Sequence, residues 1–228
     1  MDKKYHKDHI LIISDLHAPY ELPGYLEFCL SIRERVKCGT IVFIGDLCDN
    51  SAISFHDHDP DGKGPEDEMK EADIHLAKWF KAFPIAKICL GNHDRLPDRK
   101  RRVIGLPQRC FQPFRDIWNL PIGWEDKFRH KIDGVIYMHG TGLSGDMAHI
   151  RAASLNRTST VIGHTHSGCA VTYLVSDKDR IFGMNVGSGI NNKAIAFEYG
   201  REFLKKPVIS CGVVTDNGNY AQVFPMDL

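Results

Sequence analysis

Short apolar runs that each stop at a turn rich in metal-ligand residue types recur along this chain of 228 residues. The first three runs, at 9–13, 40–44 and 85–90, have the length and apolar content of buried strands. Two segments with helical character, 21–37 and 65–82, separate them. Because strands that alternate with helices pair in parallel, this half of the chain predicts an α/β fold.

The second half of the chain has a different pattern. Two apolar segments flank a turn at Asp133 and Gly134 and predict a hairpin, and 145–156 has helical character. The many short runs that follow predict a second sheet packed on the first. No Pro/Gly/Ser-rich linker divides the chain, so we expect a single domain over 1–228. The further strands are expected near 159–162, 169–175, 180–186, 194–199, 207–214 and 219–224.

Composition narrows the class of protein. The chain carries 29 basic and 29 acidic residues, so no overall charge attracts it to nucleic acid or to a membrane, although a local basic patch is still allowed. No run approaches the ~18 apolar residues of a membrane span, and the first residues lack the apolar core of a signal peptide. Its seven cysteines include no CxxC pair, which favours free thiols. We therefore expect a cytoplasmic protein without a membrane partner.

Carboxylate, imidazole and amide side chains follow the apolar runs. Loops at the carboxyl ends of parallel strands meet in one crevice, so these side chains are expected to lie together. Nitrogen and oxygen ligands without cysteine suit Mn, Fe, Zn, Ni or Co rather than a thiolate zinc site. Two ions about 3.5–4 Å apart would use the whole set if one carboxylate bridges them. The expected ligands are Asp15, His17, Asp46, Asn92, His139, His164 and His166.

The ordered motifs DxH, GDxxD, GNHD, H-G and GHxH run from Asp15 to His166 and resemble those of the calcineurin-like metallophosphoesterases. This resemblance implies a four-layer α/β/β/α sandwich of two mixed sheets flanked by helices. It also implies hydrolysis of a phosphate ester by a hydroxide that bridges two divalent ions, with manganese expected first. One ion would be held by Asp15, His17, Asp46 and His166, and the other by Asp46, Asn92, His139 and His164.

The same resemblance implies roles for three further residues. His93 would donate a proton to the leaving oxygen or stabilise its charge. Asp94 would accept a hydrogen bond from the other ring nitrogen of His93 and keep the ring cationic. Asp49 would support a metal ligand without touching the metal.

Two features near these motifs leave alternatives open. The basic stretch 95–115 begins beside His93, and its Arg95, Arg99, Arg101 and Arg102 would form either a substrate rim or a solvated helix face. The loop at 56–59, with two histidines, would either line the rim of the site or be solvated. Aromatic residues at 111, 114 and 118 are expected in the core rather than as platforms for bases.

Departures from the protein phosphatases bear on the substrate. Asp94 stands where those enzymes carry Glu, and Asp49 and Asn50 stand where they carry Asp-Arg-Gly. Together with the two histidines of 163–166, this favours a phosphodiesterase or nuclease-like enzyme acting on nucleotides or nucleic-acid ends. The alternatives are a phosphomonoesterase for proteins or small metabolites, and a catalytically silent scaffold that binds a partner.

Overall fold

The computed structural model describes residues 5–55, 59–200 and 202–227, and within this part the chain forms two β-sheets with helices outside them. The strands are β1 His6–Ile13, β2 Cys38–Phe43, β3 Ile85–Cys89, β4 Gly123–Lys127, β5 Arg129–Ile132, β6 Val135–Met138, β7 Thr160–Ile162, β8 Ala170–Val175, β9 Arg180–Asn185, β10 Ser210–Thr215 and β11 Tyr220–Pro225. The α-helices are α1 Tyr25–Val36, α2 Pro65–Ala82, α3 Leu96–Val103, α4 Phe114–Ile117 and α5 Ala148–Asn156.

The first sheet has the strand order β11-β10-β1-β2-β3-β4. Strands β1 to β4 run parallel, and β10 and β11 extend the sheet in antiparallel pairing. The second sheet has the order β5-β6-β7-β9-β8, with β6, β7 and β9 parallel and an antiparallel strand at each edge. Both sheets are therefore mixed.

Three apolar layers hold the sheets and helices together. Between the sheets, Ile10 and Val42 of the first sheet share a buried cluster with Tyr137 and Met184 of the second. Outside the first sheet, Trp79 of α2 packs in another cluster with residues of α1, β1 and β2. Helix α5 covers the far face of the second sheet through two alanines. This is the predicted four-layer sandwich of two mixed sheets flanked by helices, and that prediction is confirmed.

Two of the differences from the sequence prediction concern strands. The segment 194–199, expected as a strand, instead lies mostly in 3-10 turns at Ile195–Gly200 with a kink at Phe197, because this apolar side chain packs with Tyr20 and Ile190 in a small cluster outside both sheets. Strand β4 was not predicted, since its only buried residue is Trp124. It lengthens the parallel part of the first sheet beside β3. No helix in the described ranges combines the length and apolar character needed to cross a membrane.

Candidate metal centre

All seven predicted metal ligands lie at the edge where the parallel strands of both sheets end. Ligand atoms of Asp15, His17 and His166 form one group, and those of Asp46, His139 and His164 form a second, each with atoms within 4.8 Å of one another. The amide oxygen of the seventh, Asn92, lies 2.9 Å from His139 Nε2. Residues up to 151 positions apart in the chain are thus brought to one place.

Asp46 lies between the two groups. Its Oδ2 is 3.1 Å from His139 Nε2 in its own group and 3.7 Å from His17 Nε2 in the other. Its Oδ1 accepts a hydrogen bond from the backbone N–H of His93 at 2.8 Å, which orients the carboxylate. A carboxylate in this position suits a ligand shared by two cations.

In two of the histidines, the ring nitrogen that points away from Asp46 donates a hydrogen bond, and this contact fixes the tautomer of the neutral ring. His17 donates from Nδ1 to Asp49 Oδ1 at 2.5 Å, and His139 donates from Nδ1 to the carbonyl oxygen of Ile44 at 2.8 Å. In the neutral rings, the Nε2 lone pairs therefore face inward toward Asp46. Such partners outside the coordination sphere are typical of histidines that bind metals, so these residues fit a metal centre.

The electrostatics of the centre also favour bound cations. Burial alone would lower the pKa of His139, but the carboxylates of Asp46 and Asp15 outweigh it and raise that pKa to about 9. Burial would raise the pKa of Asp46, yet His139 and His93 hold it below its ordinary value. The pKa of His164 is lowered by burial and by His139. The buried carboxylates thus stabilise positive charge, and a divalent cation would satisfy them as a proton does.

The backbone at the centre adopts an uncommon conformation. Asp15, His17, Asp46 and His164 have φ angles of 47°, 51°, 48° and 66°. This left-handed region is unfavourable for residues other than glycine, and such residues cluster at functional sites. The sharp turns aim the side chains back across the strand ends. Strain of this kind at four candidate ligands is consistent with selection for a site rather than for stability.

His93 lies beside the Asp46 group on the wall of a cavity. Its Nδ1 donates to the carbonyl oxygen of Asp49 at 2.6 Å, and the Asp49 carboxylate lies 3.5 Å from the same nitrogen. The side chain of His93 remains 26% exposed, whereas His17 and His139 are buried. Among the histidines at the centre, His93 is thus well placed to meet a substrate.

The predicted contact between Asp94 and His93 is wrong. The Asp94 carboxylate instead accepts hydrogen bonds at 2.8 Å from the backbone N–H groups of Asp46, Leu47 and Gly91, and a longer one from Cys48. The turn after β3 brings this side chain back beneath the Asp46 loop. Burial and the charge of Asp46 raise the pKa of Asp94 to about 6. Asp94 therefore shapes the loop that carries Asp46.

Asp49 is placed where the sequence predicted a supporting residue. Its carboxylate contacts the Nδ1 atoms of His17 and His93, and it is only 2% exposed. One buried carboxylate thus touches a candidate ligand and the candidate proton donor. The Asp49 carboxylate and the ring nitrogens of His17 and His93 also form a group of possible metal ligands. Asp49 contacts His17 through Nδ1, on the side of the ring away from Asp46.

Comparison with protein families gives a match to the family described as calcineurin-like phosphoesterase over residues 9–168. The chain belongs to this family. Every candidate metal ligand lies inside the matched region. Membership in the calcineurin-like phosphoesterase family supports a hydrolase that uses divalent metal ions, and the two groups of histidine and aspartate supply candidate ligands for them.

Several solved structures are similar to this calcineurin-like chain. Vacuolar protein sorting 29 from Cryptosporidium parvum is 16% identical, with a TM-score of 0.49 over 97% of this chain and 91% of that chain. Vps29 complexed with Zn²⁺ from Entamoeba histolytica is 15% identical, with a TM-score of 0.44 over 96% and 98%. YfcE, a phosphoesterase from E. coli, is 15% identical, with a TM-score of 0.42 over 91% and 88%. Comparison with curated proteins finds no significant match.

A cavity of about 730 Å³ opens beside the metal centre. One wall carries family motif residues, including Asn92, His93 and His166. Much of the remaining lining comes from 190–207, described here at 190–200 and 202–207, which we call the 190–207 segment. It lies beyond the region matched by the family, and sequence reasoning missed it because part of it was expected to be a strand. Its FLKKP sequence, an aromatic residue beside two lysines, was the available signal.

The arginines predicted as a substrate rim do not line this cavity. The charged side chains of this stretch instead make local contacts. Arg101 and Arg102 form ion pairs with Asp98. Arg95 and Arg99 lie over aromatic rings, at 5.0 and 4.7 Å from the ring centroids of Phe128 and Phe55, respectively.

The remaining predictions near the rim have different outcomes. The loop histidines at 56 and 58 lie outside the described residues. Trp118 is 2% exposed and belongs to the core, and Phe114 packs against that core, as expected. Phe111 is partly exposed and lines a separate small cavity under α3. The cations that do line the large cavity are Lys193, Lys205 and Lys206 of the 190–207 segment.

Proposed function

We propose that this chain is a two-metal phosphoesterase of the phosphodiesterase or nuclease-like kind, acting on nucleotides or nucleic-acid ends. The observation that carries the proposal is the position of Asp46 between two groups of ligand atoms. Each group contains a histidine, His17 or His139, whose Nδ1 donates a hydrogen bond to an acceptor outside the group. A mononuclear site would have no use for two such groups.

This arrangement supports the two ligand sets that the resemblance implies. Asp15, His17, Asp46 and His166 would hold one ion, and Asp46, Asn92, His139 and His164 the other, with manganese as the expected metal and iron, zinc, nickel or cobalt as alternatives. Two divalent ions in this centre would lower the pKa of a water molecule and neutralise charge on the phosphate oxygens. The surrounding residues would orient the ester and supply a proton to the leaving oxygen.

His93 is the candidate proton donor. Its Nδ1 faces a carbonyl oxygen, which only accepts hydrogen bonds, so this nitrogen carries a proton. A second proton, carried on Nε2, would be the one available for transfer, and the Asp49 carboxylate lies 3.5 Å from Nδ1 on the other side of the ring. His93 would then donate the Nε2 proton to the leaving oxygen of the substrate.

The cavity supports an ester larger than the bare phosphate. Its volume of about 730 Å³ lies within the roughly 300–1,000 Å³ typical of small-molecule sites. A diester with a substituent on each side of the phosphorus would use this space. The second candidate is a phosphomonoesterase, which is favoured by the three lysines that line the cavity and could bind the extra charge of a monoester.

Hydrolysis of bis-p-nitrophenyl phosphate and of p-nitrophenyl phosphate by manganese-loaded protein tests the proposal. We expect a higher kcat/KM for the diester, and loss of both activities in Asp46→Asn. A higher value for the monoester would favour the phosphomonoesterase. If neither ester is hydrolysed with Mn, Fe, Zn, Ni or Co, the enzyme proposal fails and the binding scaffold replaces it.

A further inference from the structure

The 190–207 segment is fixed against the loop that carries Asp15 and His17. The backbone N–H of Gly189, just before the segment, donates to the Asp15 carbonyl oxygen at 3.0 Å, and that of Asn191 donates to the Tyr20 carbonyl oxygen at 2.8 Å. Phe197 is 5% exposed and packs edge-on against the ring of His17, with centroids 5.5 Å apart. The wall that faces the metal centre therefore has a defined position relative to the candidate ligands.

An aromatic ring lies at the outer part of this wall. Phe203 lines the cavity and is 58% exposed. An exposed aromatic ring at a cavity wall offers a flat apolar surface on which a planar group can stack. Phe203 differs in this respect from Phe197, which is buried between the segment and the metal centre.

Lysines surround this ring. Lys193, Lys205 and Lys206 line the same cavity, and among the described lining residues the only carboxylate is Asp46. Lys206 donates to the carbonyl oxygen of Gly200, and Lys205 forms an ion pair with Asp146. The wall thus combines a planar apolar surface with positive charge, the combination found where proteins bind single-stranded nucleic acid.

We propose that the 190–207 segment binds the nucleoside of a phosphodiester substrate, with the base stacked on Phe203 and additional phosphate groups bound by the lysines. This inference rests on the proposed phosphoesterase function and assigns the part of the site that would recognise the nucleoside of its substrate. Since the segment lies outside 9–168, the specificity belongs to this chain rather than to the motifs that define the family. The competing interpretation is that an aliphatic group of the substrate binds to this wall. Such a group would not require an aromatic ring at position 203.

Two substrates with the same leaving group separate nucleoside recognition from chemistry. They are the p-nitrophenyl ester of thymidine 5′-monophosphate and methyl p-nitrophenyl phosphate, which differ only in the group that stays on the phosphorus. We expect manganese-loaded protein to prefer the nucleoside ester in kcat/KM. Phe203→Leu keeps apolar bulk but removes the ring, and should reduce this preference by about tenfold. Phe203→Tyr keeps the ring and should retain it.

Phe128→Leu is the matched control for the ring. Phe128 is 61% exposed, close to the exposure of Phe203, and it does not line the large cavity. This variant should keep the preference of the unmodified protein. If Phe203→Leu keeps the preference as well, the wall recognises apolar bulk and the inference is overturned.

Direct binding supplies a readout that does not depend on turnover. Calorimetric titration of metal-free protein with thymidine 5′-monophosphate should show weaker binding in Phe203→Leu and in the double variant Lys193→Ala/Lys206→Ala. For the lysine variant, the dependence of Kd on salt should also become less steep. Lys178→Ala removes an exposed lysine from the turn between β8 and β9 and should leave binding unchanged.

The two proposals fail in distinguishable ways. If the protein hydrolyses both p-nitrophenyl esters equally and Phe203→Leu changes nothing, the phosphoesterase stands and nucleoside recognition is overturned. If neither ester is hydrolysed with any of the metals, the phosphoesterase fails. In that case the titration with thymidine 5′-monophosphate still tests whether the 190–207 segment binds a nucleoside. Weaker binding in Phe203→Leu supports nucleoside binding, and unchanged binding overturns it.

Discussion

The Nδ1 atom of His17 lies 2.5 Å from Oδ1 of Asp49, and both side chains are almost fully buried. This contact places the proton of the neutral ring on the side away from Asp46. It leaves the Nε2 lone pair directed toward the centre, 3.2 Å from Nε2 of His166. Two ring nitrogens at this distance need a proton or a cation between them. The Asp49 contact therefore orients His17 toward the candidate metal site, to which Asp49 itself would contribute no ligand.

Replacement of Asp49 should therefore weaken metal binding while the fold is kept. Asp49→Ala removes the acceptor, and the affinity for Mn²⁺ should fall by about 10–100-fold. Asp49→Asn keeps an acceptor oxygen but loses the charge, so its affinity should lie between those of the other two proteins. Calorimetric titration with Mn²⁺ measures these values. Asp61→Ala, on the exposed loop before α2, is the control, and equal affinities in all four proteins would contradict the role of Asp49.

His93→Ala should reduce turnover without removing metal. The ring lies on the cavity wall, where its Nδ1 contacts the Asp49 backbone and carboxylate and its ring packs edge-on against that of His17. Loss of a general acid should lower kcat by about 10²–10⁴-fold for a diester whose leaving group is an alkoxide, such as a dinucleoside phosphate. An ester with a leaving group of lower pKa needs less protonation and should be affected less. Metal content by mass spectrometry should stay at the unmodified value, and loss of metal would show that His93 is a ligand.

Asp94→Asn should act on stability rather than on proton transfer. An asparagine has one acceptor oxygen, and its amide group would face N–H donors that the Asp94 carboxylate now satisfies. Leaving such buried donors without partners costs about 1–3 kcal/mol. Urea unfolding of metal-free protein should show a lower free energy of unfolding.

Asp98→Asn is the matched control for Asp94→Asn. It changes the same functional group on α3, where the carboxylate pairs with two arginines near the surface. A surface pair of this kind contributes at most about 1 kcal/mol, so this variant should unfold close to the unmodified protein. Equal stability of Asp94→Asn and Asp98→Asn would show that Asp94 does not hold the Asp46 loop.

The position of the candidate ligands was predictable from sequence because each one follows an apolar run. Parallel strands end at one edge, so order along the chain and strand type together place Asp15, Asp46 and Asn92 at the same edge. His139 and His164 follow strands of the second sheet, and the same reasoning applies there. Tertiary packing of the two sheets then joins the two edges.

Contacts made inside turns were not predictable in this way. Whether Asp94 reaches His93 or the Asp46 loop depends on the backbone angles of the turn after β3, which a residue pattern does not give. The 190–207 segment was missed for a related reason. Phe197 and its neighbours have the apolar character of a strand, but they pack on Tyr20 rather than in a sheet. Only the packed structure distinguishes these two outcomes.

The stability of the metal-free protein should depend on His130. This side chain is 5% exposed and donates from Nε2 to the Ile88 carbonyl oxygen at 3.0 Å. Burial lowers the pKa of His130 in the folded chain, because the cationic ring loses its contact with water. The unfolded chain, with a pKa of about 6.5, therefore binds a proton more readily, and the free energy of unfolding should decrease as the pH falls below that value.

Comparison with His130→Gln isolates this effect from the titration of the other histidines. Urea unfolding in the presence of a chelator, at pH 7.5 and at pH 5.5, gives the loss of stability for each protein. The loss between the two pH values should be smaller in the variant, because glutamine does not titrate. An equal loss in both proteins would show that the His130 pKa is the same in the folded and unfolded chains.

Gly91→Ala should disturb the metal centre through Asp46. A Cβ atom at position 91 would lie 2.6 Å from the Asp46 backbone nitrogen and 2.8 Å from its Cγ, and it would overlap the Oδ1 atom. The carboxylate between the two ligand groups would have to move, because the backbone cannot yield without breaking the hydrogen bonds to Asp94. We expect at least about tenfold weaker Mn²⁺ binding, the size of effect seen when the support of a ligand is lost.

Gly64→Ala is the control for this substitution. Gly64 precedes α2 with φ −69°, and a Cβ atom there would meet nothing within 4 Å. The control should bind Mn²⁺ as the unmodified protein does, and calorimetric titration compares the three proteins. Circular dichroism should show that Gly91→Ala remains folded, because overpacking of this kind costs about 1–3 kcal/mol. If folded Gly91→Ala binds Mn²⁺ with unchanged affinity, Asp46 cannot be the ligand on which both ions depend.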